Sequence, residues 1–108
     1  MDNLERYRHC NTLIDIWNDH IKELEKYENM VDLSEQLKVA YAEREKLEQE
    51  QERIKEFIKN IPDKRYRVMF YMFYCKNYTK RAIAEYLGVS ESFFYRLWNK
   101  AEKELKGL

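Results

Sequence analysis

Apolar side chains recur at steps of three and four from the start of the chain. Leu4, Tyr7, Cys10, Ile14, Trp17, Ile21 and Leu24 form one stripe, widened by Leu13 and Ile16. That spacing lines up on one face of a helix and predicts a helix over residues 3–28. Its remaining positions are mostly charged, so the opposite face is wet. The stretch Asn29-Met30-Val31-Asp32-Leu33-Ser34 breaks the pattern and offers Asp32 or Ser34 as the next N-cap. A second stripe, Leu33, Leu37, Ala40, Leu47, Ile54, Ile58 and Ile61, then runs to about residue 60. This is a helix of about 40 Å at 1.5 Å per residue. Arg44 and Gln51 occupy two of its seam positions. A stripe this thin suits a coiled-coil arm, an antiparallel hairpin with the first helix, or a solvent-facing connector, and polar seam residues in a coiled coil fix register and partner number.

Pro62 ends the second helix, because it lacks an N–H and restricts the residue before it. Asp63 then caps a third helix over 64–76 that is apolar almost all round, with Val68, Met69, Phe70, Met72 and Phe73 available for burial. Asn77 tolerates the left-handed conformation that closes a helix, and Thr79 caps the next one. Two short helices follow. The first, 80–87, turns Ile83, Ala84 and Leu87 to one side; the second, 91–105, turns Phe94, Leu97 and Ala101 inward. Gly88 supplies a positive φ between them, Val89 fills the space beneath the turn, and Ser90 caps the second helix. These residues fill the positions of a helix-turn-helix, and the same pattern fits a plain helical hairpin. The fold class is all-α: an arm of long helices over 1–61, for oligomerisation or partner docking, and a helix-turn-helix domain over 62–108.

Composition changes this picture in one respect. The 108 residues hold 20 basic and 20 acidic side chains, so the net charge is zero. The halves differ, however: residues 1–61 hold 10 basic and 15 acidic side chains, residues 62–108 hold 10 and 5. A basic C-terminal half is suited to follow a phosphate backbone. The chemistry of an enzyme is missing: no nucleophile with a paired base, no carboxylate pair and no glycine-rich phosphate loop stands out. Cys10, Cys75, His9 and His20 do not form a metal-ligand set, and no cofactor is expected. Two distant cysteines suit a reducing compartment. With neither an apolar signal core nor a membrane-length apolar run, the expected location is cytoplasmic, without membrane contact.

The segment Ile61–Leu105 resembles region four of bacterial sigma factors, and more closely the small phage regulators of the ArpU and RinA type. The resemblance rests on Arg67, the apolar run ending at Tyr74, Thr79, Ile83-Ala84, Leu87-Gly88, Ser90, Tyr95 and Lys100-Ala101. It departs at Asn77, often glycine; at Ala82, where the family often has the glutamate of a capping box; and at Phe93, often polar. The resemblance implies a sequence-specific DNA-binding transcriptional regulator of phage or prophage origin, acting in the bacterial host. Its recognition helix, 91–105, would turn Glu91, Ser92, Tyr95, Arg96 and Asn99 toward base edges, with Arg96 suited to guanine and Asn99 to adenine. Lys80, Arg81, Lys100 and Lys103 would hold phosphates. The expected partners are double-stranded DNA, a second copy through the N-terminal helices, and RNA polymerase or another host protein. A homodimer would read an inverted repeat with half-sites about 34 Å apart. Two other functions fit the same pattern: a small terminase subunit, and an inhibitor that turns the fold toward RNA polymerase or a nuclease.

Overall fold

A computed structural model describes residues 3–105, which are all-helical. Helices α1 (Glu5–Tyr27) and α2 (Ser34–Lys59) fold back on each other as an antiparallel hairpin. Neither Asp32 nor Ser34 is the N-cap of α2: that position is Leu33, which makes no side-chain cap bond, and Ser34 is already the first helical residue. Asp32 instead accepts hydrogen bonds from the Ser34 N–H and hydroxyl at 3.1 and 2.8 Å, just before the helix. The seam runs as the spacing predicts. Cys10 and Ile21 from α1 are buried, as are Leu37, Ala40, Leu47, Ile54 and Ile58 from α2. Ile16, placed at the edge of the first stripe, is exposed.

The two polar seam residues are bonded within the hairpin. Arg44 donates to Asn18 at 2.9 Å, and Gln51 donates to the Tyr7 carbonyl at 3.1 Å and to Asn11. A slip of register would leave these half-buried groups unpaired, at about 1–3 kcal/mol each. Both thin stripes are therefore covered inside one chain. A homodimer through the N-terminal helices would then need a surface other than these stripes.

Near the hairpin's open end Arg6 grips Glu50 through two bonds of 2.7 and 3.2 Å. That hydrogen bond, against the opposing effect of burial, holds the Glu50 carboxyl below its ordinary value. A depressed folded-state value gives stability that is complete above the unfolded value, about 4.3 for glutamate, and is lost as pH falls through the folded one. Glu50→Gln is therefore expected to flatten the fall of the denaturation midpoint below about pH 4. An unchanged acid limb would show that the pair contributes nothing.

After Pro62, α3 (Lys64–Phe70) begins at Asp63, whose side chain accepts from the N–H groups of Arg65 and Tyr66 at 2.8 and 3.4 Å. The helix does not continue as α-helix to residue 76. It widens into a π-helical turn, Tyr71–Cys75, closed by the Lys76 N–H on the Tyr71 carbonyl at 3.2 Å. Arg8 of α1 holds this turn: it donates to the Phe73 carbonyl at 2.7 Å, with its guanidinium carbon 3.9 Å from the centre of the Phe73 ring. Asn77 follows with φ of 60°. Helices α4 (Lys80–Leu87) and α5 (Glu91–Glu104) complete the chain.

The main core ignores the junction at Pro62. Leu4, Ile54, Ile58 and Ile61 pack in one cluster with Met69, Phe70, Ile83, Phe94 and Trp98. The base of the hairpin is thus part of the same core as α3 to α5. Its far end has only a small cluster, Ile21, Leu37 and Ala40, flanked by Trp17 and Leu24. The molecule measures 59 × 25 × 20 Å.

Candidate nucleic-acid interface

Helices α4 and α5 meet at a three-residue turn, and every residue of it has a mechanical reason. Thr79 accepts from the Ala82 N–H at 3.1 Å and starts α4. At its end Gly88 adopts φ 71°, ψ 31°, which lets its own N–H reach the Glu85 carbonyl and the Val89 N–H reach the Ala84 carbonyl, both at 3.1 Å. This reciprocal pair is a Schellman closure, which needs a left-handed residue. Ser90 then accepts from the Phe93 N–H at 3.1 Å and starts α5. A Cβ added to Gly88 would meet nothing within 4 Å. The cost of Gly88→Val is therefore backbone strain alone, about 1–2 kcal/mol, and Gly88→Asn is expected to cost less. Denaturant midpoints of the two variants check this, and a midpoint unchanged by valine would contradict it.

Ile83, Ala84, Phe94 and Leu97 are buried, while Leu87 and Val89 are half-buried against the same cluster. Trp98 lies at the centre, 2% exposed. Its ring stands edge-on to Phe70 and Phe73 at 4.9 and 5.1 Å. Its indole N–H donates to Glu102 one turn along. Buried Phe94, Leu97, Trp98 and Ala101 fix the rotation of α5, so the opposite face looks outward. With 3.6 residues per turn, Ser92, Arg96, Asn99 and Lys103 run along the middle of that face. Tyr95 and Lys100 lie to either side of it, and all six residues are exposed. Phe93 flanks the face and is 40% exposed, with its ring 5.9 Å from the Arg96 guanidinium carbon.

Three of the sequence-derived contact residues are engaged elsewhere. Lys80 is half-buried, with Nζ 4.6 Å from the centre of the Trp98 ring and 5.4 Å from that of Phe73. Its ammonium is stabilised by ring faces, which competes with a phosphate. Arg81 Nε lies 3.8 Å from both Glu85 and Glu91, so Arg81 and Glu91 neutralise each other across the turn. Arg81, Glu85 and Glu91 are highly exposed, and such pairs are worth little and exchange readily. The charge is also placed differently from the expectation. Residues 80–104 hold five basic and four acidic side chains, so most of the basic surplus of 62–108 lies on Lys64, Arg65, Arg67, Lys76 and Lys106.

Elsewhere the structure gives little chemistry. An open cleft of about 450 Å³ lies between Leu4, Arg6, Glu50, Arg53, Ile54 and Phe57, but its Arg6 and Glu50 are bonded to each other. Burial pushes the Cys10 and Cys75 thiols up from their ordinary value. Among the described residues no group of three His, Cys, Asp or Glu side chains could hold a metal ion, and no helix is long and apolar enough to cross a membrane.

The chain belongs to the family described as "Protein of unknown function (DUF1492)", whose profile matches residues 19–106. The match spans the last part of α1, all of α2 and α3, the π-turn and both helices of the candidate interface. Neither a curated protein nor a solved structure matches the chain.

Proposed function

We propose that the protein binds duplex DNA in a sequence-specific manner, with α4, Gly88-Val89-Ser90 and α5 acting as a helix-turn-helix. One observation carries this reading. The outward face of α5 presents Ser92, Arg96, Asn99 and Lys103 in the open, on a helix whose rotation is fixed by four buried side chains. A helix of 14 residues held by one face can enter a major groove, where Arg and Asn side chains make paired hydrogen bonds to guanine and adenine. Lys100 and Lys103 then meet phosphates, and Arg81 joins them once it leaves Glu85 and Glu91. The role that fits is transcriptional regulation in a phage or prophage, which the resemblance of residues 61–105 to sigma region four and the ArpU and RinA regulators implies.

The experiment is selection from a random duplex pool with the full chain at low salt. Recovery of one sequence motif supports the reading. Retention of all sequences alike, or of none, sinks it. Failure would move the weight to a protein target, a reading favoured by Tyr86, Phe93 and Tyr95, which are 70, 40 and 47% exposed on these same two helices.

A further inference from the structure

The acidic surplus of the hairpin is concentrated at its far end. Residues 15–43 hold eight acidic and three basic side chains, whereas residues 1–14 and 44–61 are each balanced. The far end of a body 59 Å long thus has a net charge of −5, and residues 62–108, beyond the hairpin's other end, have +5. The acidic tip also leaves apolar side chains uncovered. Met30 is 79% exposed, Val31 60% and Val39 55%. Val39 also lines an open cleft of about 300 Å³, together with Trp17, His20, Glu35 and Gln36. Charge and uncovered apolar surface on one tip mark a contact surface.

We propose that this acidic, apolar tip docks on the basic end of a second copy, in an antiparallel two-fold dimer. Apolar contact alone would pair tip with tip, but that sets −5 against −5, and like charges brought together are repelled. Antiparallel pairing sets each acidic tip against a basic end, twice. A two-fold axis also closes the assembly, where a one-sided tip-to-end contact would propagate into a filament. The cations for this contact are already in place. Lys64 and Arg65 are exposed at the start of α3, Arg65 in a loose pair with Asp63 at 3.5 Å, and Lys76 is exposed after the π-turn. None of them belongs to the outward face of α5, so the dimer is independent of the DNA reading and is measured without DNA.

Sedimentation of the full chain tests it. A dimer is expected at about 50 mM salt, with an affinity at least about tenfold weaker at 0.5 M, because surface charge pairs are screened. The paired changes Glu23→Lys with Glu28→Lys sit near the C-terminal end of α1, where cations are favourable, and Lys64→Glu with Arg65→Glu near the start of α3, where anions are. Circular dichroism verifies that both fold. Each variant alone is expected to lose at least about tenfold in dimer affinity, and an equimolar mixture of the two to recover it, since the swapped tip meets the swapped end. A wild-type chain that stays monomeric at about 100 µM in low salt overturns the proposal and leaves the tip to another protein. A dimer that survives both reversals, or a mixture that recovers nothing, overturns it equally.

Discussion

Trp98→Ala is expected to remove about 3–5 kcal/mol of folding stability, a large fraction of the 5–15 kcal/mol typical of a domain. Trp98 is 2% exposed and its ring meets Phe70, Phe73 and Phe94 at centroid distances of 4.9, 5.1 and 5.9 Å. Those partners come from α3, the π-turn and α5 itself, so no single element can shift to fill the void. The loss also removes the ring beneath the Lys80 ammonium and the donor to Glu102. Trp98→Phe keeps an aromatic body and is expected to cost appreciably less. Urea unfolding followed by circular dichroism measures both. A loss below about 1 kcal/mol for alanine would mean that α5 is not anchored through this ring.

The hairpin was legible because its signal is local. The spacing of Leu37, Ala40, Leu47, Ile54 and Ile58 fixes which side of α2 is buried. Arg44 and Gln51 also announced themselves as polar seam residues, but their partners Asn18 and Asn11 lie 26 and 40 residues away, beyond any periodic pattern. The caps and turns of the C-terminal helices read equally well, since Asp63, Thr79, Gly88 and Ser90 each act within four residues of their own position, whereas the cap of α2 is Leu33 and neither Asp32 nor Ser34. The π-turn was hidden. The contact it makes is long-range: Arg8 reaches the Phe73 carbonyl across 65 residues. Trp98 could have been found, because it stands four residues after Phe94 and three before Ala101 on the buried face. The candidate interface was only half legible. Sequence shows which residues are polar, but Lys80 lies over Trp98 and Arg81 between two glutamates for reasons of tertiary placement. The charge of a whole segment likewise conceals that α4 and α5 are nearly neutral.

The second large effect concerns Arg96. It lies near the middle of the outward face of α5, is exposed, and its guanidinium carbon is 5.9 Å from the Phe93 ring. On the reading proposed above, Arg96→Ala removes a paired contact to guanine and costs about 1–3 kcal/mol on the selected site, but much less on unrelated duplex. Lys103 is also exposed and lies in the last turn of the helix, where the same reading gives it a phosphate contact. Its loss should weaken binding to every sequence alike and lower the salt slope by about one unit. Both substitutions remove one positive charge. An interface that works by charge alone would treat them identically.

That comparison is the most direct measurement. The full chain, Arg96→Ala and Lys103→Ala are each titrated by fluorescence anisotropy against the selected duplex and a scrambled one, over a series of salt concentrations. The predicted result is a loss for Arg96→Ala confined largely to the selected duplex, and a loss for Lys103→Ala shared by both. Equal losses for the two variants on both duplexes, or no binding of any duplex at low salt, would contradict the assignment of α5 as a DNA-reading helix.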